Sequence, residues 1–367
     1  MTVFERLRAF LWFLIAAVYF FFARVVAERA ANGLSSGAWL EVVNRSVLLF
    51  LLVIGYAAMG YIGQRQRHPV KTMGLELRAG WRREFALGAA LGWGGVVACV
   101  LPIALIGGLV VTLYTTWQQF GLILVDLVIL AVAALAEEVA FRGYPFQRLI
   151  DATGPVIATL LMSVVFGLIH LGNPGATGAS TLVTIFAGWL LAVAYLRTRA
   201  LWVGWGFHFA WNASMGILFG LPISGITIFS PVVSSNAVGP LWITGGDYGP
   251  EGSAIGALVL LVLMLVLVSA TRDLKHRYAQ PVIVPGGIPV DLDAIARRQH
   301  EAAMGAAPAS PATPQLVQIA GIPNANPVVL QAPVAEVPGA EIVVPQEPPV
   351  SKAEREKVEG EHPPQES

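Results

Sequence analysis

The sequence predicts an all-α membrane protein: a bundle of about eight transmembrane helices followed by a disordered, Pro-rich C-terminal tail. Three observations carry this. The 367 residues are 56% hydrophobic, with a mean hydropathy of +0.67. Only 13% are charged, where a soluble domain carries about 25%. The apolar residues gather in runs of about 20, the length that crosses a bilayer core.

The runs fall at 9–27, 46–63, 85–111, 121–143, 155–172, 180–197, 201–219 and 254–270. The first follows Arg6 and Arg8 but exceeds the roughly 7–15 residues of a signal-peptide core. With further spans behind it, it is expected to stay as a helix. The turn between the fourth and fifth spans is expected at Thr153-Gly154-Pro155. Lys and Arg cluster in alternate connections: Arg65, Arg67, Lys71, Arg78, Arg82 and Arg83, then Arg148, then Arg197 and Arg199, then Arg272, Lys275 and Arg277. The connections after the third, fifth and seventh spans have none, so the positive-inside rule places both termini in the cytoplasm of a multi-pass protein of the cell (inner) membrane. Arg29 and Arg45 then fall on the outer side, offset by Glu28 and Glu41.

Residues 281–367 hold fifteen of the 24 prolines. Such a tract cannot bury enough apolar surface to overcome chain entropy and is expected to be disordered. A short helix over Asp291–Met304, capped by Asp291, is the exception it allows, and a protein partner could use this tail. The organisation expected is a two-helix segment at 1–69, a core at 70–270 and a cytoplasmic tail at 271–367. The 23 cations balance 23 anions, so there is no basic field for nucleic acid. The single cysteine, Cys99, excludes an intrachain disulfide and a cysteine metal cluster.

Charged and polar groups inside spans cost several kcal/mol and are functional hypotheses by default. The fourth span carries LAEEVAFRGY. Glu138 and Arg142, four apart, share a helix face and can pair, as a structural clamp or as part of the chemistry. Glu137 sits about 100° round the helix and has no local partner, which suits a general base. The fifth span carries FGLIH, ending in His170. The seventh carries FHFAWN, with His208 and Asn212 on one face. With the fourth span helical to Ile150, Glu137 and His170 come to similar depths, and the site is expected inside the membrane, reached from the cytoplasmic side. Phe141 and Phe166 are expected to line it. Trp211 could do so, while Trp202 and Trp205 suit an interfacial belt.

Glu-Glu-x-x-x-Arg, Phe-x-x-x-His and His-x-x-x-Asn, in this order over about 70–270, resemble the CPBP (Abi) family. That family includes type II CAAX prenyl endopeptidases and bacteriocin-processing or immunity proteins. The run ITGGDYGPEGS at 243–253 adds to the likeness. The resemblance implies hydrolysis of a peptide bond in a membrane-associated substrate, prenylated or bacteriocin-like. Glu137 would activate the water, helped by His170. His208 and Asn212 would orient the carbonyl or hold its oxyanion. Glu138 and Arg142 would support the site. Cofactor use stays open between no tightly bound metal and a divalent ion such as zinc on Glu137, His170 and His208. The competing readings are a non-catalytic scaffold or immunity protein and, ranked last, a proton-coupled transporter.

Overall fold

In the computed structural model every predicted span falls on a helix. The structure describes residues 2–37, 39–113, 117–272, 282–283, 289–290, 297 and 300. Helix α1 (Val3–Leu34) starts with a capping box, in which Thr2 Oγ1 accepts from the Glu5 amide at 3.2 Å and Glu5 accepts from the Thr2 amide at 2.7 Å. Its buried residues are alanines (Ala9, Ala16, Ala23, Ala27, Ala31), while Phe4, Leu11, Phe21 and Phe22 lie on the outside. Small residues inward and large apolar ones outward is the arrangement lipid favours.

Next come α2 (Trp39–Gln64), α3 (Trp81–Leu105), α4 (Trp117–Arg142), α5 (Tyr144–Thr153), α6 (Pro155–Ile169) and α7 (Gly178–Thr198). Helix α8 (Trp202–Asn212) runs on as a π-helical turn over Ala213–Leu218, and α9 (Leu241–Thr244) and α10 (Ala254–Ala270) complete the bundle. Among the described residues, six helical stretches are long and apolar enough to span a membrane, with α4 and α5 counting as one. The two remaining predicted spans are α8 with its π turn and α10, which is 17 residues long.

Two details differ from the expectation. The third span was predicted to reach residue 111, but α3 ends at Leu105, soon after Pro102. The chain then forms strand β1 (Leu109–Leu113), antiparallel to β2 (Val233–Ala237). Hydropathy cannot tell a short β-branched run from a helix end. The fourth span does not stay helical to Ile150. It breaks at Gly143 (φ −76°, ψ −133°), and Pro145 lies in the first turn of α5. The turn into α6 does fall at Gly154-Pro155.

The α3–α8 contact sets the position of two candidate residues. A Cβ on Gly88 would lie 2.0 Å from the Val203 carbonyl oxygen, and one on Gly206 would lie 2.1 Å from that of Phe85. The helices therefore touch backbone to backbone, as small residues allow in lipid. Helix α1 packs on α2 and α5, α2 on α4, α6 on α7, and α4 on α8. Arg197 ties α7 to the end of α10, donating to Thr271 Oγ1 at 2.8 Å and to the Thr271 carbonyl at 2.6 Å.

Most of the predicted tail, including the Asp291–Met304 helix, lies outside the described residues. Within it, strands β3 (Val282–Ile283) and β4 (Pro289–Val290) pair. His300 is buried, with Nε2 3.2 Å from Glu84 Oε1.

Candidate active site

The buried anchor is Glu138, 1% exposed. Its Oε1 accepts from Arg142 Nη1 at 3.2 Å and stands 3.0 Å from His208 Nδ1. Arg142 Nη2 also donates to the Gly188 carbonyl on α7 at 3.1 Å, and the guanidinium lies 4.4 Å from the Phe166 ring centroid. The pair expected from the sequence thus joins α4 to α6, α7 and α8. Both charges are out of solvent, so loss of either would strand the other, at a cost of about 3–5 kcal/mol.

Glu137 faces a different space. Its side chain is 34% exposed, yet Oε2 is buried and makes no hydrogen bond. His208 Nε2 is 3.7 Å from that oxygen, beyond direct hydrogen bonding. His208 is therefore aimed by one carboxylate and presented to another. Glu138 Oε1 accepts from Arg142 and stands at hydrogen-bond distance from Nδ1 of His208, whose Nε2 points towards Glu137.

His170 lies at the C-terminal end of α6, its Nδ1 2.6 Å from the Phe166 carbonyl. A carbonyl can only accept, so Nδ1 carries the proton and Nε2 of the neutral ring has its lone pair available. Asn212 is the last residue of α8, before the π turn, and lines cavities with both histidines. π segments within helices recur at functional sites.

All six sequence-derived residues are accounted for. His170 and Asn212 line one cavity with His208 and another with Glu137, and Glu138 and Arg142 are buried beside His208. Phe141 and Phe166 form walls, ring to ring at 5.1 Å. Trp211 lines the site and donates to Glu251 Oε1 at 2.6 Å. Trp202 is 5% exposed and donates to the Glu76 carbonyl in the connection between α2 and α3. Trp205 likewise bonds the Ala131 carbonyl on α4.

A cavity of about 190 Å³ beside Glu137 and His170 is lined by Phe20, Arg24, Arg45, Leu48, Asn173 and Ile226, among others. Arg24 and Arg45 come from the N-terminal helices. Asn173 and Ile226 come from the connections after α6 and α8. In the orientation that the charges predict, the C-terminal ends of α1 and α6 lie on the side away from the termini. Arg24 was legible as a charge inside the first predicted span. Glu251 lies in the 243–253 run already noted in the sequence, whereas Ser224 and Asn173 lie in connections and carried no signal of their own.

Among the described residues no three His, Cys, Asp or Glu side chains gather as metal ligands. Each histidine uses Nδ1 for a protein contact and keeps Nε2 towards the cavities, but Glu137, His170 and His208 do not gather as a ligand set.

Fold and site together define a multi-pass membrane protein that gathers Glu137, Glu138, Arg142, His170, His208 and Asn212 between its helices. Residues 117–214 match the family model of type II CAAX prenyl endopeptidase Rce1-like proteins. The resemblance in the motifs is thereby borne out, and the chain carries an Rce1-like domain, of a membrane protease class. No curated protein and no solved structure matches the chain.

Proposed function

We propose that the protein is an intramembrane endopeptidase in which Glu137 activates a water molecule against a peptide bond of a membrane-associated substrate. The observation that carries this is the buried, unbonded Oε2 of Glu137 opposite the Nε2 of a histidine whose other nitrogen is fixed by Glu138. A gap of 3.7 Å between two polar atoms is one that a water or a substrate oxygen can serve.

In this reading Glu137 takes a proton from water, with the Nε2 lone pair of His170 holding the water's second hydrogen. The water oxygen bonds to the carbonyl carbon. The developing oxyanion accepts from the Asn212 amide and from His208, which as an imidazolium donates through Nδ1 to Glu138 and through Nε2 to the site. The intermediate then collapses, the C–N bond breaks, and the proton held on Glu137 passes to the leaving amine. Each well-placed oxyanion donor lowers the barrier by about 3–4 kcal/mol, and exclusion of bulk water strengthens these contacts. Glu138 and Arg142 orient His208 and take no proton.

The prenyl endopeptidase match makes a prenylated peptide the first substrate class to test, with bacteriocin-type peptides second. The positive-inside pattern supports a cell-membrane protein with cytoplasmic termini. The decisive experiment compares membrane peptides from cells with wild-type protein and with Glu137→Gln. A peptide that accumulates uncut in the variant supports the reading and names the substrate. An unchanged profile, with both proteins inserted, points to a non-catalytic scaffold or immunity role.

A further inference from the structure

The hydrolytic reading leaves one carboxylate beside the site without a task. Glu251 lies in the Pro250–Gly252 3-10 turn before α10, outside the matched stretch and far in sequence from the three motifs. With Ser224 it lines a cavity of about 40 Å³ shared by His170, His208 and Asn212.

Three donors converge on this carboxylate. Oε1 accepts from Trp211 Nε1 at 2.6 Å, and Oε2 accepts from Ser224 Oγ at 2.7 Å and from the Ser224 amide. Ser224 itself is unusual. Its φ is +47°, and Gly225 follows at +83°. The flanking residues exchange hydrogen bonds, Ile223 amide to Ile226 carbonyl at 3.0 Å and the reverse at 2.9 Å. This is a two-residue hairpin of the type that needs left-handed backbone at both tip positions. Glycine adopts that conformation without penalty, whereas a serine needs surroundings that enforce it.

The tip is also wedged against the segment after His170. Asn173 Nδ2 donates to the Ser224 carbonyl at 3.0 Å, and a Cβ on Gly225 would come within 1.9 Å of the Pro174 carbonyl oxygen. The other face of the turn looks into the site, because Ile223, Ser224 and Ile226 line a cavity with Glu137, His170 and Asn212.

We propose that Glu251 is a positioning residue: it holds the left-handed Ser224–Gly225 turn as the roof of the catalytic cavity and couples that roof to α8 through Trp211, next to Asn212. An acceptor at both ends is essential to the task. Glutamine has the same shape, but one end of its amide donates and would face a donor on either Trp211 or Ser224.

The inference rests on the hydrolytic reading for its consequence but not for its geometry, and the experiment separates the two. Wild-type and Glu251→Gln full-length proteins in nanodiscs are compared by amide hydrogen exchange and by cleavage of a fluorogenic prenylated peptide. Exchange over 222–230 should rise several-fold in the variant while α3 and α7 stay unchanged. Cleavage should fall on the order of 10²-fold in kcat, the size of effect expected from slight misplacement, with KM moving less. Adding Ser224→Gly, which removes the need to force a left-handed serine, should restore part of both. If Glu251→Gln does not fold, Ser224→Ala removes one donor and should move exchange in the same direction. Unchanged exchange over 222–230 in the folded variant, or a loss that Ser224→Gly does not relieve, overturns the proposal. If wild type cleaves nothing, the hydrolytic reading loses its support, and the exchange result still decides whether Glu251 holds the turn.

Discussion

At the scale of single residues, the two adjacent glutamates divide the work because a helix points neighbours in different directions. Glu138 points back into the protein, onto Arg142 and His208. Glu137 points into the cavity with an unbonded oxygen. The two should therefore fail differently. Glu137→Gln should leave insertion and melting temperature in detergent intact and lower the cleavage rate by about 10²–10⁴-fold, the usual contribution of a general base. Arg142→Met should unfold the protein first, since it strands a buried carboxylate at about 3–5 kcal/mol. The double variant Glu138→Met/Arg142→Met should regain much of that stability, as read by thermal unfolding, while staying inactive because His208 has lost its orienting acceptor. The sequence allowed this division to be foreseen, because the i,i+4 spacing of Glu138 and Arg142 marks a pair and leaves Glu137 over. It marked the 243–253 run that holds Glu251 but could not reveal its contact with Ser224, 27 residues away, between connections with no periodicity to read.

At the scale of elements, helix α8 is a platform for His208 and Asn212, and its seat is α3. Hydropathy placed both helices within a few residues, because a long apolar run is a strong signal. It ended the fourth span at the Gly143 break but did not place the β1–β2 ribbon, which depends on a distant partner strand. The α3–α8 seat makes a prediction with an internal control. Gly206→Ala puts a methyl group 2.1 Å from the Phe85 carbonyl. The helices must move apart, at roughly 1–3 kcal/mol for overpacking, and the histidine moves with them. Gly94→Ala on α3 meets nothing within 4 Å. The first should lose most activity and melt lower. The second should match wild type in both assays, and equal behaviour of the two would show that α8 does not take its position from this contact.

At the scale of the whole molecule, the question is which parts the chemistry needs. Helices α1 and α2 lie outside the matched stretch, yet Phe20, Arg24, Arg45 and Leu48 form one wall of the cavity at Glu137. The C-terminal tract stands differently towards the site. None of the cavities at Glu137, His170, His208 and Asn212 is lined by a described residue beyond Leu260. The end of α10 is anchored by Arg197 on Thr271, before the Pro-rich segment begins. His300 does reach the bundle, at Glu84, but Glu84 also pairs with Arg78 at 2.5 Å and so keeps a cation when His300 is removed. A chain cut after Arg272 should therefore insert, melt within a few degrees of the full-length protein and cleave at the full-length rate. A scaffold acting through its tail predicts the reverse, with the phenotype lost on truncation and unchanged in Glu137→Gln. Measuring both variants in one strain separates a catalytic bundle carrying a dispensable tail from a tail that the bundle merely anchors.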